Sequence, residues 1–248
     1  MKIIDACVGI GPWGWRNPVL PGRTADVLAI LDYCGIDSAV VFSNLTHVTG
    51  FDANASVLRE INSNPRLFPA FLLAPQTYDS HPRPEDYLTA MRQAGAKVAW
   101  LRPAWQKHGV ASWVIGDLLR MCVAHRLPLF VPMDGGMTYN DVHALGNEFP
   151  ELRLVLTNLG YNADASLFPL LRRHRELRIC LGQTYCTTLA PERFVQHFGP
   201  NRMIFGSGLP QCAPGGLIAM VAYAQLDDAV KQKIFAGNIE QLMNEVSL

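Results

Sequence analysis

Short apolar runs alternate along the chain with longer segments in which apolar residues recur at helical spacing. One of the runs, residues 38–43, reads Ser-Ala-Val-Val-Phe-Ser and lacks the alternation of a half-exposed strand. Strands that are apolar on both faces are typical of a parallel sheet covered by helices. We predict eight strands, at residues 2–7, 38–43, 67–74, 97–102, 127–133, 152–157, 177–183 and 203–206.

A segment of helical spacing follows each predicted strand. These segments lie at residues 24–34, 53–62, 85–94, 111–125, 140–148, 166–174, 191–198 and 214–225. Eight strand–helix units in one uninterrupted run predict an α/β fold of the (β/α)8 TIM-barrel type, with extra C-terminal helices at residues 227–235 and 238–246. A doubly wound open sheet is the alternative. No linker, internal repeat or low-complexity segment divides residues 1–248, so we expect a single domain.

Composition and charge narrow the class of protein. The chain has 248 residues, of which 49% are hydrophobic, so it can bury a large core. Its 21 Lys and Arg residues balance 21 Asp and Glu residues without a basic run, which argues against a nucleic-acid partner. No apolar stretch reaches the roughly 18 residues of a membrane span, and Asp5 lies where a signal peptide keeps its apolar run. We therefore expect a cytoplasmic protein whose six scattered cysteines are reduced thiols.

One motif of the first predicted loop matches a cofactor pattern. Residues 9–14 read Gly-Ile-Gly-Pro-Trp-Gly, which fits the dinucleotide-binding pattern G-x-G-x-x-G. That pattern binds a pyrophosphate only when its turn opens a helix with free backbone N–H groups. Pro12 removes one of these groups, and Pro18 and Pro21 prevent an early helix start. We therefore predict an irregular loop over the barrel mouth and no cofactor.

Six segments, in order along the chain, resemble one family of TIM-barrel proteins. Residues 3–10 (IIDACVGI) resemble its first strand, IDxHxHI, and residues 149–160 (FPELRLVLTNLG) resemble FPxLKLVLAHLG. Residues 100–106 (WLRPAWQ) resemble KLHPxxQ, and residues 127–132 (LPLFVP) resemble LPVLIH. Residues 201–210 (NRMIFGSGLP) resemble DRILFGSDYP, and residues 235–242 (FAGNIEQL) resemble ILGxNAxRL. The family is the amidohydrolase-related group of metal-dependent hydrolases and decarboxylases, which act on small carbon acids. The resemblance implies a TIM barrel over nearly the whole chain.

The resemblance also implies where a metal ion would lie, at the C-terminal mouth of the barrel. In the family, two strand-one histidines, two later histidines and a strand-eight aspartate hold the metal. The matching positions here are Cys7, Gly9, Pro132, Asn158 and Gly208. Glycine and proline offer no side-chain donor, whereas a hydrolytic centre takes about three strong protein ligands and one open position. Because matching residues flank each position, our interpretation is an ancestral metal site that has been dismantled.

Other side chains are predicted to face the mouth from strand ends and loops. The residues that we expect to bind the substrate are Arg102, Trp105, Trp13, Trp15, Asn158 and Tyr185. A guanidinium at a strand end, such as that of Arg102, is costly without an anionic partner and suits a bidentate clamp on a carboxylate. The alternatives are an internal ion pair between Arg102 and Asp134, and tryptophans that cap the barrel core instead of a ligand.

Three residues are candidates for the chemistry itself. Asp134 and His108 follow strands and could transfer protons. Cys7 could act as a nucleophile if a neighbouring cation such as Arg102 favoured its thiolate. A cysteine at this position could equally be a packed side chain.

The sequence leaves three functions open. The first is a hydrolase (lactonase) or decarboxylase of a small carboxylated compound that works without the usual metal. The second is a non-catalytic relative that binds a small anionic ligand or a protein partner. The third is a metalloenzyme with relocated ligands, drawn from Cys7, His47, His108, Asp134 and Cys212. Barrels of this family frequently pair as homodimers, so a second copy of the chain is a candidate partner, although the sequence does not give the oligomeric state.

Overall fold

The chain folds into a barrel of eight parallel strands. The computed structural model describes residues 1–12, 22–47, 52–76 and 82–248, and only the backbone of Thr46 and His47. The strands β1–β8 span Ile4–Ile10, Ser38–Ser43, Leu67–Leu73, Val98–Leu101, Leu129–Pro132, Leu154–Thr157, Arg178–Leu181 and Met203–Phe205. Each strand is hydrogen-bonded to the next in chain order. All eight predicted strands and the TIM-barrel fold are confirmed.

Helices alternate with the strands. In chain order, α1–α11 span Thr24–Tyr33, Asp52–Ile61, Pro84–Ala94, Pro103–Gln106, Ser112–Ala124, Tyr139–Glu148, Asp164–Arg173, Ala190–Phe198, Gly215–Ala222, Asp228–Gln232 and Asn238–Asn244. Each predicted helical segment overlaps one of them, whereas the short helix α4 and a 3-10 turn at Asn44–His47 were not predicted. A π-helical turn at Lys233–Gly237 joins α10 to α11. Among the described residues, no helix is long and apolar enough to cross a membrane.

The first strand is longer than predicted. The prediction placed Gly9 in the following loop, where glycine and proline begin to cluster. In the structure Gly9 pairs with Phe42 of β2, and its N–H donates to the carbonyl oxygen of Leu209 at 2.7 Å. The N–H of Gly208 donates to the carbonyl oxygen of Cys7 at 3.0 Å. Backbone bonds on both edges therefore hold the end of β1, and they link it to the segment that follows β8.

The barrel interior and the layer under the helices are two separate cores. Every strand contributes to the interior cluster, and strand residues generally alternate between the two cores, as the pleat requires. The alternation is interrupted in β1, where Ala6 and Cys7 both belong to the interior cluster at an irregularity of the pairing. In β4, for example, Trp100 belongs to the interior and Leu101 to the outer core. The Trp100 ring lies 4.7 Å from that of Phe42 and 5.5 Å from that of Phe130, centroid to centroid. Large aromatic side chains thus fill the barrel interior at the level of Trp100.

Helix α11 closes the N-terminal end of the barrel. Its residues Ile239 and Leu242 belong to the interior cluster. The buried Asn238 side chain donates from Nδ2 to the carbonyl oxygens of Pro200 and Met203, at 2.7 Å each. Because Met203 begins β8, these bonds fix the closing helix to the last strand at the end opposite the mouth.

An ion-pair network lies at the same end of the molecule. Arg153, whose side chain is only 7% exposed, donates to Glu245. Arg126 donates to the same carboxylate at 2.6 Å, and Gln241 donates to its other oxygen at 2.8 Å. Together these hydrogen bonds, with that of Gln241 first, lower the pKa of Glu245 from 4.5 to about 2.

This network predicts how stability depends on pH. A carboxyl group whose pKa is lower in the folded state stabilises the fold above its unfolded pKa, and this contribution is lost as the pH falls through the folded pKa. The free energy of unfolding should therefore fall between about pH 4.5 and pH 2. In Glu245→Gln it should be lower at pH 7 by about 1–2 kcal/mol and should depend less on acid, as measured by urea unfolding at several pH values.

The matched control is Glu240→Gln. Glu240 pairs with Lys2 on the surface, where the two side chains are 36% and 53% exposed. An exposed pair contributes at most about 1 kcal/mol, so this variant should keep the acid dependence of the unmodified protein. An acid profile of Glu245→Gln that is unchanged from that of the unmodified protein would contradict the prediction.

Candidate functional site at the barrel mouth

A cavity of about 340 Å³ lies at the C-terminal ends of β1, β6, β7 and β8. We call it the mouth cavity. Among the described residues its lining includes Cys7, Asp134, Thr157, Asn158, Cys180, Gln183, Ser207, Gln211 and Cys212, with glycines at 160, 182, 206 and 208. The C-terminal mouth is where TIM-barrel enzymes place their active sites. The structure thus brings together three predicted site residues, Cys7, Asp134 and Asn158.

A polar wall of the mouth cavity is built by the end of β6 and the loop after β5. Asn158 donates from Nδ2 to both carboxylate oxygens of Asp134, at 3.0 and 3.1 Å. Its φ of 52° lies in the left-handed region, which asparagine tolerates better than most residues. Thr157, at the end of β6, is only 2% exposed, and its buried Oγ1 has no hydrogen-bond partner. The wall therefore combines a carboxylate in a fixed orientation with a hydroxyl that lacks a partner.

A buried carboxylate behind the cavity holds two of its lining residues in place. Asp5 is fully buried, and its Oδ1 accepts the N–H of Cys7 at 3.0 Å and that of Ser207 at 2.9 Å. The Ser207 hydroxyl donates to Asp5 Oδ2 and accepts the N–H of Leu209 at 3.0 Å. Burial raises the pKa of Asp5 to about 6, against the effect of these hydrogen bonds. We call these hydrogen bonds between Asp5 and Ser207 the latch. The sequence signal that could have predicted it is a single acidic residue, Asp5, within an apolar strand.

Arg102 is buried beside the mouth cavity, among aromatic rings. Its guanidinium carbon lies 4.6 Å from the ring centroid of Phe42, 5.0 Å from that of Trp100 and 4.3 Å from that of Trp105. Burial lowers the pKa of Arg102 to about 10, so the side chain stays charged at neutral pH. Its charge acts on Cys7 and Asp134, which both line the cavity. The predicted site residue Trp105 thus packs on the guanidinium of Arg102. The carboxylate of Asp134 accepts its hydrogen bonds from the amide of Asn158.

Cys7 lies on the cavity wall as a protonated thiol. Burial, followed by the nearby carboxylate of Asp5, raises the pKa of Cys7 to about 12, although the charge of Arg102 acts in the opposite direction. The thiolate is the nucleophilic form of cysteine. This environment therefore does not favour the nucleophilic role that we considered for Cys7.

Four predicted site residues are not part of the described lining of the mouth cavity: Arg102, Trp105, Tyr185 and His108. Tyr185 is buried, and its hydroxyl donates to Asp164 of α7 at 2.6 Å. His108 follows α4, with Nδ1 2.8 Å from the carbonyl oxygen of Gly109, and burial lowers its pKa. Trp13 and Trp15, the remaining predicted residues, lie outside the described part of the chain.

The positions that the resemblance assigns to metal ligands do not form a donor set. A Cβ at Gly9 would lie 2.2 Å from Oδ1 of Asn44, whose Nδ2 is held by the carbonyl oxygen of Gly11 at 3.0 Å. Gly208 has a φ of +78°, which strains any larger residue. Within the described ranges, no group of three or more His, Cys, Asp and Glu side chains is placed to hold a metal ion. Gly9, Pro132 and Gly208 have no side-chain donor to offer at these positions.

Solved structures share this fold at low sequence identity. An uncharacterised TIM-barrel protein from Bordetella bronchiseptica matches with a TM-score of 0.75 and 16% identity, over 99% of each chain. A 2,6-dihydroxybenzoate decarboxylase from Rhizobium matches with 0.73 and 13%, over 98% of each chain. A protein from Pseudomonas putida, assigned provisionally as a 2-pyrone-4,6-dicarboxylic acid hydrolase, matches with 0.74 and 16%, over 98% of each chain. No curated protein matches the chain. At these identities the likeness establishes the fold alone.

The family is established by a different comparison. The family model described as Amidohydrolase matches residues 16–244, which is most of the chain. The match includes the ends of β4–β8, and therefore most of the mouth cavity. It includes five of the six segments that resemble the amidohydrolase-related pattern, and residues 3–10 precede it. The chain belongs to the amidohydrolase family.

Proposed function

We propose that this protein binds a small carboxylated compound in the mouth cavity and acts on it without the divalent metal centre of its family. The observation that carries the proposal is a cavity of about 340 Å³ with a carboxylate wall on one side and the buried cation Arg102 beside it. Two of the proteins with the same fold are named for acting on carboxylated ring compounds. The cavity is near the lower end of the size range of small-molecule sites, about 300–1,000 Å³, so a ligand with one ring fits it.

The charges around the cavity suggest the direction in which such a ligand binds. Asp134 is the only formally charged residue of the described lining, so its side of the cavity repels a carboxylate. Arg102 attracts an anion both near Cys7 and near Asp134. Near Cys7 the buried carboxylate of Asp5 opposes this attraction, but Asp134 lies on the cavity lining itself, whereas Asp5 does not. We therefore expect the carboxylate of the ligand to lie nearer to Cys7 than to the wall of Asp134.

Asp134 is the best-placed group for proton transfer. Asn158 holds both of its oxygens from one donor, and each oxygen keeps lone pairs for another hydrogen bond. In the hydrolysis of a lactone, Asp134 would take the proton of a water whose oxygen bonds to the carbonyl carbon. The ring C–O bond then breaks, and the leaving oxygen takes up the proton that Asp134 accepted from the water. The geometry favours Asp134 over His108, which lies outside the cavity lining, and over Cys7, which is protonated.

Non-catalytic binding is the second candidate function. It is favoured by the protonated thiol of Cys7 and by the absence of a second acid or base in the described lining beside Asp134. Asp134→Asn separates the two functions, because an enzyme that uses Asp134 as a base would lose turnover in this variant. A binding protein would keep or improve its affinity for the carboxylate, since the repelling charge is removed.

The dismantled metal site is part of the proposal. It is supported by the donor-free positions Gly9, Pro132 and Gly208, and by the Asn44 side chain that occupies the space beside Gly9. Relocated ligands would have to include residues outside the described part of the chain, because the described side chains form no metal-binding group.

The experiment that tests the proposal has two measurements. The metal content of untagged protein, before and after incubation with zinc, manganese and iron, should be near zero. Roughly one tightly held metal per chain would revive a metalloenzyme. Benzoate binding, measured by ligand-observed NMR, should be detectable in the unmodified protein and lost in Gly182→Val.

The glycine variant locates the binding in the mouth cavity. A Cβ at Gly182, on the cavity lining, meets no atom within 4 Å, so a side chain there projects into open space and blocks the ligand. Gly216, in α9, is equally open but lies outside the cavity lining. Gly216→Val should therefore keep benzoate binding, and equal binding in both variants would exclude the mouth cavity.

A further inference from the structure

A groove of about 530 Å³ lies on the outside of the barrel, between helices α3 and α5. We call it the α3–α5 groove. Among the described residues its lining includes Leu88, Met121, Ala124, Asp117 and Arg120. The groove therefore offers an apolar surface to a large side chain and charges of both signs to a partner.

The exposed residues of α5 form one stripe along this groove. They are Trp113, Asp117, Arg120 and Ala124, and the other residues of the helix are buried or half-buried. With 3.6 residues per turn, the directions of these four side chains fall within about 60° of one another. Trp113 is 87% exposed, and tryptophan is one of the residues that contribute most to binding energy in protein interfaces. The stripe thus carries an exposed aromatic residue next to a groove.

The stripe is complementary to itself when a second α5 lies antiparallel to the first. If a two-fold axis passes midway between Asp117 and Arg120, Asp117 of each copy faces Arg120 of the other. In the same register Trp113 of each copy faces Ala124 of the other, because these two positions are also symmetric about that point. A two-fold interface requires this kind of self-complementary surface. A parallel pair would instead bring Asp117 against Asp117 and Arg120 against Arg120.

We propose that a second copy of this chain docks on the α3–α5 groove, with the two α5 helices antiparallel and Trp113 of each copy in the groove of the other. Trp113 and Ala124 lie about 16 Å apart along the helix, so each indole ring passes the central charges and reaches the groove beside Ala124 and Met121. The inference is independent of the proposed function, since the described linings of the groove and of the mouth cavity share no residue.

The charges favour a second copy over another kind of partner. Nη2 of Arg120 lies 2.7 Å from Oδ1 of Asp117 within one copy, and the two side chains are 64% and 81% exposed. In the dimer each charge keeps this neighbour and gains the opposite charge of the other copy, so no charge is buried alone. Arg83 and Glu85, at the start of α3, add one further charge of each sign to the lining. The surface therefore has no excess charge that would attract a strongly acidic or basic partner.

The test measures the mass of the full chain by sedimentation over a range of protein concentrations. An interface centred on one pair of helices is small, and small interfaces associate reversibly. The unmodified protein should therefore be a monomer when dilute and a dimer at about 100 μM. Asp117→Arg and Arg120→Asp should each weaken the dimer about tenfold or more, because like charges then face each other across the axis.

An equal mixture of the two charge variants should associate again. Each arginine of Asp117→Arg then faces an aspartate of Arg120→Asp, so both charge pairs are restored between the copies. Both substitutions also break the ion pair within α5, but mixing does not repair that loss. Renewed association in the mixture therefore reports contact between copies and not a local change in the helix.

Trp113→Ala should weaken the dimer about tenfold or more and leave the Tm of the monomer unchanged, since the side chain is exposed there. Tyr33→Ala is the matched control. Tyr33 ends α1, is 92% exposed and does not belong to the described groove lining, so its loss should leave the dimer unchanged.

Three results would overturn the proposal. The first is a chain that stays monomeric at every concentration. The second is a dimer that persists in Trp113→Ala and in both charge variants, because the copies then meet at another surface. The third is a pair of charge variants that are monomeric alone and also when mixed, because the antiparallel register is then wrong.

Discussion

Gly206→Ala is expected to destabilise the barrel by about 1–3 kcal/mol, the usual range for overpacking a core. A Cβ at this position would lie 2.3 Å from Sγ of Cys180 and 3.0 Å from Cβ of Cys7. The backbone nitrogen of Cys7 would be only 3.2 Å away, and this atom is fixed by its bond to Asp5. Neither β1 nor β7 can move aside easily, so the strain should appear as lost stability. Chemical unfolding measures it directly.

Two further variants show whether the strain has this origin. Gly182→Ala, on the same cavity but with no atom within 4 Å of the added Cβ, should change stability by less than about 0.5 kcal/mol. In a Cys180→Ala background, the cost of Gly206→Ala should be smaller, because the closest of the contacting atoms is gone. Equal costs in both backgrounds would show that Cys180 is not the cause.

Arg102→Met is expected to weaken the binding of carboxylated ligands by on the order of tenfold or more. Methionine keeps an unbranched apolar chain among the rings of Phe42, Trp100 and Trp105 but removes the charge. Affinity for an uncharged probe such as phenol should be nearly unchanged, since only the electrostatic attraction is lost. The comparison of benzoate with phenol therefore isolates the charge from any change in cavity shape.

Arg102→Lys is the control variant, because lysine keeps the positive charge but not the planar shape of the guanidinium. It keeps a cation near Cys7 and Asp134, so benzoate binding should fall less than in Arg102→Met. If all three proteins bind benzoate equally, Arg102 is only a structural cation and the proposed orientation of the ligand is wrong.

The sequence predicts the fold because each strand and helix carries its own local pattern. The β2 segment, apolar on both faces, could be assigned without knowledge of its neighbours. The end of β1 could not, since Gly9 is a strand residue through its pairing with Phe42 and is held on its other side by Leu209, about 200 positions away. Long-range pairing of this kind leaves no periodic signal near the residue itself.

The site was predictable where strand ends alone decide the position. Cys7, Asp134 and Asn158 meet because the ends of parallel strands share one face of the barrel. Tyr185 and His108 follow strands too, but the loops turn them away from the cavity lining, and loop conformation cannot be derived from hydrophobic spacing. Thr157 was not singled out, although its departure from the alanine of the family pattern was a visible signal.

The latch between Asp5 and Ser207 has a consequence for the order of folding. The two residues are 202 positions apart, so one wall of the cavity cannot form until nearly the whole chain has left the ribosome. Contacts between distant residues form slowly, and folding rates fall as their sequence separation grows. The edge of β1 therefore stays unpaired and exposed until the last strand has been synthesised. We expect the barrel to be most prone to aggregation during this period of synthesis.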